Sequence, residues 1–230
     1  MFFDPLYLII IGVGFALSLG AQFWVKNRVN KWAEVAIGRG MTGRDVARAI
    51  LQAEGITNVD IEQAHGFLSD HYDPSSRTLR LSSDIFNGRS VTAAGIAAHE
   101  VGHAIQHKEG YMPMTIRQKM VPVANIGTNL GVWIMIIGLV IGLAGLAKIG
   151  VFLFAGFVAF TLVTLPVEFD ASSRAKRALA NYNIVDSREL DGVSQVLTAA
   201  AATYVAAAVA AILQLLYWLF RLGVLGGSRD

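Results

Sequence analysis

The chain has 230 residues, 54% of them hydrophobic and 16% charged, and a charge fraction that low points to a membrane protein rather than a soluble domain. It has no cysteine, which excludes disulfides, thiolate metal sites and a cysteine nucleophile, so any bound metal must be held by His, Asp or Glu. The net charge of +2 is too small to argue for nucleic acid as a partner.

Leu6 to Val25 is a charge-free run of 20 residues, enough to cross a hydrocarbon core of ~30 Å. Asp4-Pro5 marks its start and the basic cluster Lys26, Arg28 and Lys31 follows it. The region before the run is acidic and no small-x-small cleavage site precedes the basic cluster, so the run is expected as a retained first span (6–25) rather than a signal peptide.

Residues 26–120 hold most of the charge and form the predicted aqueous domain. Thr42 followed by Val46, Ala47, Ile50 and Leu51 predicts an N-capped amphipathic helix that Gly55 ends. From Asn58 to Ser82 the hydrophobic period shortens, with Val59 and Ile61, then Phe67 to Tyr72, then Thr78 to Ser82. Turn residues Asp73-Pro74-Ser75-Ser76 separate the last two, so a small antiparallel sheet is expected. That sheet either braces the next helix or offers an edge strand to an extended peptide.

The next helix is predicted from Val91 to about His107, with Ser90 as N-cap and Gly110 and Pro113 as breakers. It contains Ala98-His99-Glu100-Val101-Gly102-His103, the His-Glu-x-x-His pattern of zinc metallopeptidases. On a helix, residues four apart rise ~6 Å and turn only ~40° beyond a full revolution, so the imidazoles of His99 and His103 converge on one face and can share an ion. Glu100 lies about 100° round, beside the pair, where a carboxylate can accept a proton from a water.

Uncharged runs at 121–147 and 149–167, with only Lys148 between them, predict a transmembrane hairpin, and a charged segment, 168–192, follows. The last apolar segment, 193–222, is longer than one span requires, so its alanine-rich start is expected to tilt or to leave the membrane. Segments 26–120 and 168–192 carry twelve and four of the 19 Lys and Arg residues. The excess of basic residues places both segments in the cytoplasm and both termini outside. Whatever the sidedness, two spans separate these segments, so both lie on the same side.

A catalytic zinc site has three protein ligands and one open position. His107 lies about 12 Å along a straight helix from His99, too far to share an ion with both histidines. It is expected behind the ligands or at the surface, and nothing in the spacing of His65 and His71 requires them at the site. Glu168 falls where the third span leaves the membrane on the side of the metal helix. It is either the third ligand or an interfacial carboxylate paired with Arg174 or Arg177.

The segment Ala97 to His107, with Glu168-Phe169-Asp170-Ala171-Ser172, the four-span layout and Thr203-Tyr204-Val205-Ala206-Ala207, resembles the YugP-type family of bacterial membrane zinc metallopeptidases over nearly the whole chain. More distantly it resembles the HtpX-type integral-membrane gluzincins, whose Glu-Phe-x-Ala-Asp motif supplies the third zinc ligand from its Glu. The resemblance implies an α-helical multi-pass membrane protein with four transmembrane helices and a small α+β zincin-like cytoplasmic domain, located in the bacterial cell membrane. It makes Glu168 the third ligand of one zinc ion per chain. Ser172 stands where those relatives have Asp, and a hydroxyl behind a ligand histidine makes a weaker, neutral hydrogen bond. Asp170 is the candidate to compensate.

The expected activity is hydrolysis of peptide bonds in protein or peptide substrates, including membrane proteins, with Glu100 as general base and the lipid bilayer as environment. Tyr204, Arg174 and Arg177 are the candidate stabilisers of the developing oxyanion. One competing expectation is a catalytically idle, zinc-tied membrane scaffold, which has no need of a Glu between the two histidines. Another is a transporter, which the absence of an ionisable residue at the centre of any span disfavours.

Overall fold

A computed structural model describes residues 4–64, 66 and 69–224. The chain is mainly helical with one three-stranded sheet, and it divides into two compact units. One comprises the chain up to residue 21, 115–166 and from 203 onward; the other comprises 22–114 and 167–202.

Four helical stretches among the described residues are long and apolar enough to cross a membrane: Pro5–Ala33, Met112–Val140, Ala144–Asn181 and Ser187–Arg221. The first is α1. The second comprises α5 (Met112–Asn125), a π-helical segment (Ile126–Gly131) and α6 (Val132–Val140). The third and fourth are α7 (Ala144–Asn181) and α8 (Ser187–Arg221).

In the first unit the expected hairpin is present, but it turns at residues 141–143 around Gly142 (φ +74°) rather than at Lys148, which lies within α7. Glycine lets the two limbs approach to backbone contact, since a Cβ placed on Gly150 would lie 2.6 Å from the Gly131 carbonyl oxygen. Tyr7 stacks on Tyr217 with ring centroids 5.0 Å apart, and the Tyr217 hydroxyl donates to Asp4 Oδ2 at 2.9 Å. Phe15, Trp133 and Phe152 are all more than 60% exposed, an apolar surface suited to lipid rather than water.

The second unit is built on α4 (Val91–Lys108), which is capped by the Ser90 hydroxyl accepting from the Ala93 amide. Its buried residues run round most of its circumference and are mostly small, as a helix enclosed by neighbours requires. Helix α2 (Gly43–Ala53) packs on it through Val46, Ala47, Ile50 and Leu51. Thr42 and Asp45 form a reciprocal capping box at the start of α2.

The sheet consists of β1 (Asp60–Ala64), β2 (His71–Asp73) and β3 (Thr78–Ser82), with β3 central and the short helix α3 (Ser83–Asn87) following it. Its pairing corrects the antiparallel expectation. β2 and β3 form the anticipated hairpin, but β1 runs parallel to β3, with Ile61 opposite Leu79. β2 therefore runs opposite to both of its sheet companions, and hydrophobic alternation alone does not distinguish the two directions. Leu79 and Leu81 of β3 are fully buried, and β2 and β3 lie against α4.

α7 enters this unit at Val167. A Cβ on Gly102 of α4 would lie 2.5 Å from the Ala171 carbonyl oxygen of α7, so only glycine permits the crossing. α8 begins at a second capping box, in which Asp186 and Glu189 accept from each other's amides at 2.8 Å.

Candidate metal centre

The α4–α7 crossing brings together groups 65 or more residues apart in the chain. One ligand atom each from His99, His103 and Glu168 lies within 4.8 Å of the others, in the only such cluster of three among the described residues. Glu168 Oε2 is 3.2 Å from His99 Nε2 and 3.6 Å from His103 Nε2. Zinc–ligand bonds of about 2.0–2.1 Å in a tetrahedron set neighbouring ligand atoms about 3.3 Å apart, close to the two separations measured from Glu168. Glu168 is 3% and His103 7% exposed, and a carboxylate so buried is stable only when paired or bound to a cation.

The atoms behind the two histidines show which lone pairs face the cluster. The Gln106 side chain is completely buried; its Nε2 donates to the Val167 carbonyl and to Asp170 Oδ2, both at 2.8 Å. Its Oε1 lies 3.0 Å from His103 Nδ1 and accepts from it. Turning the amide over would set its oxygen against a carbonyl and a carboxylate, so the orientation is determined by its partners. His103 therefore carries a proton on Nδ1 and, when neutral, presents a bare Nε2 to Glu168. Burial pushes the His103 imidazole down, but the hydrogen bond and negative charge of Glu168 outweigh it and hold the pKa above the ordinary histidine value.

His99 Nδ1 lies 3.1 Å from Ser172 Oγ, one helical turn beyond Glu168. Glu100, 8% exposed, follows His99 on α4. Asp70, just before β2, accepts from the Ser82 amide at 2.8 Å. Burial chiefly raises its pKa; the Ser82 bonds oppose that rise and the charge of Glu100 adds to it.

Residues 7–223 match the family described as "Putative neutral zinc metallopeptidase". The chain belongs to this zinc metallopeptidase family. It is similar to "Putative membrane protease YugP" of Bacillus subtilis (strain 168), 43% identical over 211 residues that cover 92% of this chain and 93% of that protein. No solved structure matches the chain. Family membership and the four apolar helices make it a membrane protein with a three-residue site suited to zinc.

The other residues expected at the zinc metallopeptidase site are placed as follows. His107 Nδ1 meets the Tyr72 hydroxyl at 2.8 Å, outside the cluster of three. Asp170 does not touch a histidine directly; it reaches His103 through Gln106. Arg174 contacts Asp170 through Nε and Glu109 through Nη1, each at 2.5 Å. Arg177 is exposed and donates to Ser173 Oγ at 2.9 Å. Tyr204 is half-buried on α8 in the first unit. His71 is exposed, with Nδ1 2.8 Å from the Ser69 carbonyl oxygen, and His65 lies outside the described residues.

Gln106 was missed from the sequence. Its signal was a polar residue three positions after His103, on the same helical face and within an apolar helix.

Proposed function

We propose that the chain is an integral-membrane zinc endopeptidase with one zinc per chain, held by His99, His103 and Glu168. The observation that supports this best is the convergence of two imidazole nitrogens and one carboxylate oxygen, with a glutamate next to the first histidine. Three protein donors leave a tetrahedral ion one position for reaction. Bound there, zinc supplies Lewis acidity to a water molecule and to the scissile carbonyl.

The chain's own residues do the rest. Glu100 takes the proton from the attacking water and delivers it to the leaving amine, so the C–N bond breaks without expelling a free amide anion. β2 is an edge strand packed against α4 among the described residues, and a sheet edge beside the metal helix suits an extended substrate by strand addition. Tyr204, Arg174 and Arg177 remain the candidate oxyanion donors, and of these Arg174 is held by two carboxylates and Arg177 is exposed.

The lysine and arginine distribution supports a cytoplasmic site formed by 26–120 and 168–192, with cytoplasmic or membrane-near segments of other proteins as substrates. The deciding experiment is Glu100→Gln on purified full-length protein in detergent, assayed with an unstructured peptide. Undiminished zinc with turnover reduced about 10²–10⁴-fold is the expected result. Undiminished zinc-dependent turnover would remove Glu100 as the base, and absence of turnover in the wild type with zinc bound would favour the scaffold.

A further inference from the structure

The histidines in the cluster are supported differently. His99 has a serine hydroxyl behind it, a group able either to donate or to accept. His103 has a carboxamide whose orientation is forced by two acceptors, the Val167 carbonyl and the Asp170 carboxylate. Asp170 is held in turn by Arg174, and Arg174 by Glu109 at the C-terminal end of α4. The chain Glu109–Arg174–Asp170–Gln106–His103 thus crosses twice between α4 and α7 and ends on a ring nitrogen.

We infer that Gln106 is a positioning residue that relays the negative charge of Asp170 to His103, fixing the Nδ1–H tautomer so that Nε2 is the ligand atom. The inference rests on the reading of His103 as a zinc ligand and adds to it the means by which the ligand nitrogen is chosen. It also gives Asp170 a part that its place two residues after Glu168 obscures. The carboxylate missing at position 172 behind His99 has a counterpart at 170, acting on the other histidine. Gln106 has no exposure to solvent, so nothing but these partners satisfies its amide, and loss of any one leaves a buried polar group unmatched.

The test uses full-length protein in detergent with Gln106→Met, which keeps the length but removes both polar ends, and with Asp170→Asn. The second variant keeps the shape of the side chain and an oxygen to accept from Gln106 Nε2, and removes only the charge. Two readouts are taken: zinc affinity by competition with a chromophoric chelator, and ring ¹⁵N shifts of His103 in metal-free protein at alkaline pH, assigned by loss in His103→Ala.

In the wild type the His103 proton is expected on Nδ1. Gln106→Met should mix the tautomers and weaken zinc about 10–100-fold, while Asp170→Asn should keep the Nδ1–H tautomer and weaken zinc about tenfold through loss of the relayed charge. The inference is overturned if Gln106→Met keeps the tautomer and the affinity and only lowers the unfolding temperature, or if Asp170→Asn binds zinc as tightly as wild type. Should Gln106→Met fail to fold, Asp170→Asn against wild type still decides. A wild type that takes up no zinc at these residues overturns the peptidase reading, and the metal-free ¹⁵N shifts then decide the part played by Gln106.

Discussion

Gly102 of α4 faces Ala171 of α7 so closely that a Cβ on the glycine would lie 2.5 Å from the Ala171 carbonyl oxygen. The contact is backbone to backbone, with no flexible side chain to give way. Gly102 immediately precedes His103, and Ala171 lies three residues after Glu168, so this crossing sets the distance between the imidazole pair and the carboxylate.

Gly102→Ala should therefore push the two helices apart at the site. Overpacking of this kind costs about 1–3 kcal/mol. The expected outcome is a lower unfolding temperature with zinc affinity reduced at least tenfold, measured by thermal unfolding and chelator competition. Wild-type affinity in a folded variant would show that the crossing does not set the ligand geometry.

Ser172 supports His99 from one turn beyond Glu168 at 3.1 Å. Ser172→Ala removes a neutral hydrogen bond worth about 0.5–1.5 kcal/mol, so zinc affinity should fall no more than about tenfold. That loss should be smaller than the loss for Gln106→Met, which breaks a chain ending on a carboxylate. Comparing the two variants in one zinc titration checks the ranking.

The box of Thr42 and Asp45 closes the first turn of α2, with Thr42 Oγ1 accepting from the Asp45 amide at 3.1 Å. Thr42→Ala should cost about 1 kcal/mol of stability. Zinc stoichiometry should not change, because α2 contributes no ligand atom. Unfolding of the metal-free variant followed by circular dichroism measures the first effect and metal analysis the second.

The β2–β3 turn gives a pH dependence of known sign. The Ser76 hydroxyl, followed by the Ser75 amide, holds the Asp73 carboxyl down to about 2 from an ordinary 3.8. A carboxyl depressed by folding stabilises the turn above its unfolded value, and that contribution is lost as pH falls from 3.8 towards 2. Asp73→Asn should speed amide exchange in β2 and β3 relative to wild type at pH 5–7, and the difference should shrink below about pH 4. A difference independent of pH would mean that the side chain acts through its shape rather than its charge.

Local periodicity was enough to place the metal helix, because the 3.6-residue repeat puts His99 and His103 on one face whatever surrounds them. Ser90 and Thr42 could be read as caps because the side-chain and amide groups that pair in a cap are only a few residues apart. Four spans were legible because a bilayer demands length and apolarity, both local properties. Their limits were less so. Lys148 looked like the hairpin turn, yet the chain turns at Gly142, where a positive φ is tolerated, and the lysine is carried within α7.

Other features belong to the tertiary structure alone. Residue order does not say whether β1 runs with or against β3, since both directions bury the same alternating side chains. Nor does it say that Asp170 reaches His103 rather than His99, because that contact passes through Gln106 on a different helix. The sequence by itself determined the chemistry available on α4: two imidazoles and a carboxylate at helical spacing. The tertiary structure decided which groups from α7 meet them, because that depends on how closely two backbones pass at Gly102 and Ala171, and close packing between distant segments leaves no periodic trace in either.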